Sequence, residues 1–270
     1  MKLIRFILVS LTVLFGGLYL LYVSYIYCNQ EEMVFKFYKL EKDYAFDFDG
    51  NYSEINTLVE TNTNIHGLLF KANAPKGLVF YLHGNAGALN TWGNIANQYT
   101  NLGYDFFIMD YRGFGKSDGA VENSNQVVND VSKVYEKLSK GYDNVMVIGY
   151  SIGTGPAAYL ASKYQPNQLI LLAPYYNFLE LTRGKVPFFP DFLKKFDFAT
   201  DQYIRNTKSQ ITIFHGIDDQ MIPASDSEKL KRYLKKSDQL FLLENQGHLG
   251  MNDNSTYQEE LKKLVLTTNQ

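Results

Sequence analysis

The sequence predicts an α/β protein built on a mostly parallel sheet, and three patterns carry this prediction. Apolar stretches such as "GLVFYLHG" and "NVMVIGY" are typical of strands that are covered on both faces of a sheet. These stretches alternate with helical ones along most of the chain, as in βαβ units. Each predicted strand ends in glycine, polar or aromatic residues, and parallel sheets collect their functional side chains at that edge.

The order of the elements predicts eight strands, of which the first two are antiparallel, with helices on both faces of the sheet. We expect the strands at 58–62, 65–72, 77–84, 104–112, 144–150, 168–174, 210–216 and 238–245. We expect the helices at 90–102, 124–139, 152–164, 224–235 and 256–266. The aromatic-rich stretch between the sixth and seventh strands is predicted to be irregular.

The 270 residues have the composition of a globular protein, with 46% hydrophobic and 20% charged residues and a formal net charge of -2. This length predicts one domain of catalytic size plus an appendage. Lysines and arginines are scattered along the chain, so we expect no nucleic-acid partner. Cys28 is the one cysteine, which excludes an internal disulfide and a multi-cysteine metal site.

The appendage is an N-terminal stretch without charged residues from Phe6 to Tyr27, and a bilayer is crossed by roughly 20 such residues. We predict an uncleaved transmembrane anchor at 1–32 and a catalytic domain at 33–270. A cleaved signal peptide and a buried core helix are the alternatives. A signal peptide has a shorter apolar stretch and a small-residue cleavage site. Because the apolar stretch and the core are not expected to overlap, a chain that begins near Met33 is predicted to be soluble and active.

The charges beside the apolar stretch predict its orientation. Lys2 and Arg5 precede it, and Glu31 and Glu32 follow it. Under the positive-inside rule, the N-terminus lies in the cytoplasm. We therefore predict a single-pass membrane protein with an extracytoplasmic catalytic domain.

The motif "GYSIG" at 149–153 places Ser151 directly after a predicted strand and before a predicted helix. A sharp strand-to-helix turn of this kind exposes the serine Oγ and requires small flanking residues. Ser151 is therefore a candidate nucleophile. The alternative is a glycine-rich turn with an idle serine.

A nucleophilic serine needs a base that a third group holds in position. In chain order the acid and then the histidine follow a serine of this type. His248 lies in a loop after the last predicted strand and is the predicted base, with a surface histidine as the alternative. The acid is expected in "HGIDDQMIP", where Asp218 and Asp219 are both candidates and His215 ends the strand.

Acyl transfer also needs hydrogen-bond donors for the developing oxyanion. The residue after the nucleophile supplies one N–H in this architecture, and that residue is Ile152. The loop after the third strand supplies the other, which we assign to Asn85. His83 is predicted to order that loop.

These motifs resemble those of the α/β-hydrolase superfamily. The chain is most similar to serine hydrolases that carry "LHGN", "DYRGFGKSDG", "GYSIGTG" and "HG-x-x-D-x-x-I/V-P" in this order, which include membrane-anchored and serine aminopeptidase-like members. The resemblance covers about 68–266. It implies an α/β-hydrolase fold with esterase, thioesterase or lipase-like chemistry and without a metal or organic cofactor.

The resemblance also assigns individual residues. The last pattern, aligned on His215 and Gly216, implies that Asp219 is the acid and Asp218 a variable position. The segment "DYRGFGKSDG" implies that its aspartate and arginine, Asp110 and Arg112, brace the oxyanion side.

The connection after the sixth strand departs from many of these relatives, which carry a large helical lid there. The short connection from Ala173 to Thr207 predicts a small cap and a fairly open site. Its aromatic residues line an acyl pocket, touch the bilayer or form ordinary core: Tyr175, Tyr176, Phe178, Phe188 and Phe189. Tyr175, Tyr176 and Tyr150 are the predicted pocket residues.

The sequence therefore predicts a membrane-anchored serine hydrolase that cleaves carboxylic esters or thioesters through Ser151, Asp219 and His248. Its expected partners are a small-molecule or lipid-like acyl substrate and the membrane. A serine peptidase on the same fold is the alternative, and it would need an acidic grip on the substrate's amino terminus. A non-catalytic binding protein is the second alternative, although such proteins usually lack a member of the triad. The oligomeric state stays open.

Overall fold

A computed structural model describes residues 1–267, and one mixed sheet organises this part of the chain. Its strands are β1 (Tyr52–Glu60), β2 (Thr63–Phe70), β3 (Leu78–Leu82), β4 (Asp105–Met109), β5 (Val145–Tyr150), β6 (Gln168–Leu172), β7 (Gln210–Gly216) and β8 (Gln239–Leu243). They lie in the order β1-β2-β4-β3-β5-β6-β7-β8. β2 is antiparallel to both β1 and β4, and all other neighbours are parallel. The predicted mostly parallel eight-stranded sheet is confirmed.

Helices lie before, between and after the strands. They are α1 (Lys2–Val34), α2 (Leu89–Trp92), α3 (Ala96–Thr100), α4 (Ser124–Leu138), α5 (Thr154–Tyr164), α6 (Phe178–Lys185), α7 (Thr200–Arg205), α8 (Ser225–Lys231) and α9 (Ser255–Thr267). We call residues 174–206, which contain α6 and α7, the cap.

Both faces of the sheet are buried, which explains why the central strands are apolar throughout. Val131 of α4 and Ala157 of α5 belong to the core on one face. Tyr99 of α3 and Tyr257 of α9 belong to the core on the other. The prediction of helices on both faces is therefore confirmed.

Two predicted elements differ from the structure. The helix expected at 90–102 is interrupted by a 3-10 turn at Gly93–Ile95. A Cβ atom at Gly93 would lie 2.4 Å from the Phe48 ring, so this tight contact accounts for the glycine. The segment predicted to be irregular contains α6, which begins because the Asn177 side chain accepts hydrogen bonds from the N–H groups of Leu179 and Glu180.

The N-terminal helix α1 is long and apolar enough to cross a membrane. Its most apolar 18-residue window has a mean hydropathy of 2.3 and is not buried in the protein. This exposure argues against the alternative of a buried core helix.

The C-terminal end of α1 nevertheless packs on the cap, contrary to the expectation that the apolar stretch and the core do not overlap. Ile26 and Gln30 are each 7% exposed. The Gln30 amide donates to the Leu193 carbonyl at 3.0 Å and accepts from the Lys195 N–H at 2.9 Å. α1 also continues to Val34, past the predicted domain boundary at residue 32. A chain that begins near Met33 therefore lacks part of the packing around the cap.

The contact between α5 and the cap gives a stability prediction. A Cβ atom at Gly155 would lie 2.0 Å from the Tyr175 hydroxyl and 2.7 Å from the Phe198 Cβ. We expect Gly155→Ala to lower the free energy of unfolding by about 1–3 kcal/mol, because overpacking forces buried groups apart. The measurement is thermal unfolding of the full chain in detergent.

Gly184→Ala is the matched control, because this helical glycine has no atom within 4 Å of a built Cβ. It should be neutral or stabilising by up to about 1 kcal/mol. Equal melting temperatures for the two variants would contradict the tight contact at Gly155.

Candidate active site

The turn between β5 and α5 holds Ser151 in a strained backbone conformation. Its φ angle is 54°, a value that non-glycine residues rarely adopt. The two glycines of the motif permit the turn, since a Cβ at Gly149 would lie 2.5 Å from the Gly153 carbonyl oxygen. A Cβ at Gly153 would lie 2.3 Å from the Leu82 carbonyl oxygen at the end of β3. The serine thus projects from the carboxyl edge of the sheet, as the motif predicts.

The structure brings three of the predicted site residues into one hydrogen-bonded chain. His248 Nε2 lies 2.9 Å from Ser151 Oγ. His248 Nδ1 lies 2.6 Å from Asp219 Oδ2. The three side chains come from different loops at the carboxyl edge, after β5, β7 and β8. Asp218, the other acid considered, is exposed and does not take this position.

Several donors surround the Asp219 carboxylate. Its Oδ1 accepts the N–H groups of Met221 and Ile222 at 2.8 and 2.9 Å. Burial alone would raise the pKa of this carboxyl, but hydrogen bonds from His215, His248 and the Ile222 N–H outweigh burial and hold the pKa well below its usual value. Asp219 is therefore a carboxylate at neutral pH. A carboxylate only accepts hydrogen bonds, so His248 carries its proton on Nδ1 and leaves Nε2 free to accept from the serine.

His215 supports Asp219 from the end of β7, a role that the sequence analysis did not assign. Its Nε2 faces Asp219 Oδ2 at 3.3 Å and the Ile222 carbonyl oxygen at 3.0 Å. Both are acceptors, so Nε2 carries the proton and Nδ1 accepts from the Ser227 hydroxyl at 2.6 Å. The His-Gly pair that opens the acid-containing motif was the sequence feature from which this role could have been predicted.

Tyr150 positions the histidine and does not belong to the pocket, contrary to the prediction. Its hydroxyl donates to the His248 carbonyl, and its ring stacks on the imidazole with centroids 5.8 Å apart. Burial raises the pKa of Tyr150 to about 12, so the phenol stays protonated and remains a donor.

The two predicted oxyanion donors lie beside Ser151, on the wall of the same cavity. Ile152 is the second residue of the 3-10 helix that begins at the serine, and N–H groups at a helix start have no partner within the helix. The loop of Asn85 is held by hydrogen bonds to the end of α1 and to the residues after it. The Asn85 carbonyl accepts from the Lys36 N–H at 2.7 Å, and its side chain donates to the Val34 carbonyl at 3.2 Å.

His83 lies in the loop that carries Asn85, and its Nδ1 lies 2.7 Å from the Gly84 carbonyl oxygen. Its Nε2 faces Asp110 Oδ1 at 3.5 Å, so Asp110 lies behind this loop. Arg112, by contrast, forms two hydrogen bonds with Asp130 on α4, at 2.6 and 2.8 Å. Arg112 thus ties the β4 loop to α4 and does not brace the oxyanion side.

A cavity of about 240 Å³ opens at the serine, somewhat smaller than the usual ligand pocket of roughly 300 to 1,000 Å³. The cap, the end of α1 and the loops beside Ser151 form its walls. The lining residues from the cap are Tyr175, Phe178, Leu181, Thr182, Lys185, Val186, Phe189, Lys194 and Phe196. Those from α1 are Ile26, Gln30, Met33 and Val34.

The cavity differs in two respects from what the sequence predicts. Tyr175 lines it as predicted, but Tyr176 turns away, and its hydroxyl lies 3.1 Å from the Tyr233 hydroxyl. The site is also less open than a short cap implies, because α1 supplies a further wall. Ser151 and His248 are only 7% and 8% exposed.

Metal binding has little support in this region. Over residues 1–267, no group of three or more His, Cys, Asp or Glu side chains is placed to hold a metal ion. The chemistry available here is that of a serine, an imidazole and a carboxylate beside an apolar cavity.

A serine on a sharp strand-to-helix turn of a mostly parallel eight-stranded sheet defines the class of α/β hydrolases. The family model described as serine aminopeptidase, S33, matches residues 73–195, a range that contains Asn85 and Ser151. The human alpha/beta hydrolase domain-containing protein 17B is 32% identical over 204 residues, which cover 72% of this chain and 67% of that protein. The chain belongs to the α/β-hydrolase family.

Other relatives give the same result. The mouse alpha/beta hydrolase domain-containing protein 17C is 28% identical, and the match covers 74% of this chain and 63% of that protein. Among solved structures, an esterase of Pyrococcus furiosus superposes with a TM-score of 0.63 at 17% identity, covering 83% of this chain and 93% of the esterase. A monoacylglycerol lipase of Paleococcus ferrophilus gives 0.58 at 12% identity, covering 75% and 98%. At these identities the two structures show the shared fold alone.

The lowered pKa of Asp219 predicts how stability depends on pH. A carboxyl whose pKa is depressed in the folded state contributes stability above its unfolded pKa of about 3.9, and this contribution is lost as the pH falls below that value. We expect Asp219→Asn to unfold more easily than the wild type at pH 7, with a gap that narrows below about pH 4. Denaturant unfolding of both chains across this pH range measures the gap.

Asp218→Asn removes the same charge from the neighbouring exposed position and serves as the control. A gap between Asp219→Asn and the wild type that stays constant down to pH 3 would contradict the role of the ionised carboxylate.

Proposed function

We propose that this hydrolase cleaves carboxylic esters or thioesters through an acyl-enzyme intermediate, with Ser151 as nucleophile. The observation that carries the proposal is the hydrogen-bonded chain from Ser151 through His248 to the ionised Asp219, at 2.9 and 2.6 Å, beside an apolar cavity. A serine hydroxyl is a weak nucleophile, and an adjacent oriented base activates it. Membership of the α/β-hydrolase family supports a hydrolytic reaction.

In the acylation step, Ser151 Oγ attacks the acyl carbon while His248 Nε2 takes the hydroxyl proton. Asp219 holds the imidazole through Nδ1 and stabilises the imidazolium that forms. The carbonyl oxygen becomes an oxyanion, which the N–H groups of Ile152 and Asn85 stabilise. The imidazolium then gives its proton to the departing alcohol or thiol as the bond to the acyl carbon breaks.

In the deacylation step, His248 takes a proton from a water molecule as that water attacks the acyl carbon. The second tetrahedral intermediate uses the same two N–H donors. Its collapse breaks the bond to Ser151 Oγ, which receives the proton back from His248, and the carboxylic acid leaves. Over the two steps every proton that is removed is returned, no electrons are gained or lost, and only these residues and water take part.

An ester or thioester fits the cavity better than a peptide with a free amino terminus. Among the described residues that line the cavity none is acidic, and the nearby Asp191 is already paired with Lys194 and Arg183. An amino terminus would therefore lack a carboxylate partner there. The serine aminopeptidase description of the family model keeps the peptidase as the second candidate.

We also propose that α1 anchors the enzyme in a membrane. Its length and hydropathy are compatible with a bilayer span. The charges at its ends favour a cytoplasmic N-terminus and an extracytoplasmic catalytic domain. The division at 1–32 and 33–270 stays a prediction, and the packing of Gln30 on the cap makes the two parts one structural unit.

Labelling with a fluorophosphonate tests the nucleophile. We expect the probe to react with the full-length protein and Ser151→Ala to remove both the labelling and ester hydrolysis, because the reacting oxygen is lost. Gel fluorescence and hydrolysis of p-nitrophenyl esters provide the measurements. Ser162→Ala, a change of the same kind on α5, should leave both intact. Labelling that persists in Ser151→Ala would refute the assignment.

The two neighbouring aspartates allow a matched test of the acid. The amide of Asn at the acid position donates a hydrogen bond to Nδ1 and so favours the wrong imidazole tautomer. In serine proteases this change lowers kcat by about 10⁴. We expect Asp219→Asn to lose several orders of magnitude in kcat, and Asp218→Asn to stay within about tenfold of the wild type, roughly 1.4 kcal/mol. Both folded variants are assayed on one short-chain ester. The reverse ranking would assign the role to Asp218.

A further inference from the structure

The loop at residues 186–192, which we call the cap loop, carries two large apolar side chains in an unusual setting. Phe188 is 87% exposed and Phe192 is 86% exposed. Phe188 also has a positive φ of 63°, so its backbone is held in an unfavourable conformation. In water, two exposed phenylalanines in one short loop cost free energy, and such a patch is typical of a contact surface.

Two hydrogen bonds tie the cap loop to the apolar part of α1. Tyr22 donates its hydroxyl proton to the Pro187 carbonyl at 2.7 Å. Tyr19 donates to the Phe188 carbonyl at 3.0 Å. Both tyrosines lie within the uncharged stretch that ends at Tyr27. Because an α-helix rises 1.5 Å per residue, Tyr19 lies roughly 12 Å below Tyr27 along the helix, on the side of the membrane span.

A lipid environment would explain the two hydrogen bonds between α1 and the cap loop. Irregular backbone inside a bilayer must have its carbonyl groups satisfied by protein donors, because no water is available there. The phenols of Tyr19 and Tyr22 supply such donors to two consecutive carbonyls of the cap loop. Tyrosine is also the residue that is enriched where the hydrocarbon meets the headgroups.

One charged pair lies at the C-terminal end of α1, where headgroups and water are expected. Lys195 pairs with Glu31 at 2.5 Å, and its ammonium lies 4.7 Å from the centre of the Tyr27 ring. The cap loop itself contains one charged residue, Asp191, which is partly exposed and pairs with Arg183 and Lys194. The polarity thus changes along α1 in the order that a membrane interface requires.

The cavity beside Ser151 extends to the contact between α1 and the cap loop. Its lining runs from Ser151 to Ile26 on α1 and to Lys185, Val186 and Phe189 at the start of the cap loop. Phe189 is buried in this wall, whereas its neighbour Phe188 points outward. The seam between α1 and the cap loop therefore lies between the cavity and the surface that carries Phe188.

We propose that the cap loop inserts into the bilayer that holds α1, with Phe188 deepest, and that the acyl chain of a lipid ester enters the cavity from the hydrocarbon along this seam. This inference rests on the proposed function for its substrate, but the insertion itself is independent of catalysis. It identifies the partner of the exposed patch as a lipid surface.

Depth-dependent fluorescence quenching tests the insertion. The full chain is reconstituted in phosphatidylcholine vesicles with or without bromine on the acyl chains, as Phe188→Trp, Phe192→Trp or Leu58→Trp. Leu58 is an apolar residue on β1 with 64% exposure and is the matched control. The native Trp92 is present in every variant and supplies a constant background.

We expect brominated lipid to quench the added fluorescence strongly in Phe188→Trp, less in Phe192→Trp and not at all in Leu58→Trp. Equal quenching in Phe188→Trp and Leu58→Trp would overturn the insertion, whether or not the protein is an active esterase.

Charge substitutions test the route of the substrate. A charged residue within a bilayer is unfavourable, so Phe188→Asp should lift the cap loop away from the lipid. We expect hydrolysis of a long-chain ester embedded in vesicles to fall at least about tenfold, while hydrolysis of a soluble short-chain ester stays unchanged. Leu58→Asp should alter neither rate.

An equal loss on both esters in Phe188→Asp would overturn the proposed route, because it indicates damage to the fold or to catalysis. Unchanged hydrolysis of the embedded ester would overturn it as well. Failure of the wild type on both esters would instead overturn the proposed function, and the quenching result would then decide the insertion alone.

Discussion

The close approach of backbones at the turn between β5 and α5 is the constraint on which the rest of the site depends. Gly153 packs against the last carbonyl of β3, where a side chain has no room. The same contact brings the loop after β3, with Asn85, next to Ser151. Ser151 and Asn85, the proposed nucleophile and oxyanion donor, are therefore positioned by one packing contact between neighbouring parallel strands. The strain at Ser151 is offset by the buried sheet that holds both loops.

A second constraint is that the polar side chains around Ser151 are buried. Buried polar groups are costly unless each has a partner. The chain of contacts from Ser151 through His248 and Asp219 continues to His215 and Ser227, so every ring nitrogen of both histidines has a partner. These partners fix the tautomer of each histidine. The cap and α1 cover the site and so help to bury this network.

Most of the fold and of the site could be predicted from local sequence patterns. The apolar strands, the turn at Ser151 and the order of acid and histidine depend on short stretches of sequence and could be predicted. The helix α6 was missed although Asn177 and Glu180 form a helix-start signal three residues apart. Tyr150 was predicted to line the pocket, but its ring stacks on His248, a residue 98 positions away whose approach no local pattern indicates.

The packing of α1 on the cap could not be predicted, because its contacts join residues more than 160 positions apart. In the sequence, Gln30 belongs to a polar flank, and Tyr19 and Tyr22 to an apolar span. Only the fold shows that these side chains hold the cap through its backbone groups. Residues of α1 supply a wall of the cavity beside the short cap. Under the proposed anchoring, α1 has a fixed depth in the bilayer, so the cavity that it lines has a fixed depth as well. The proposed membrane attachment and the shape of the cavity therefore depend on one packed unit, because the same helix carries the apolar stretch and lines the cavity.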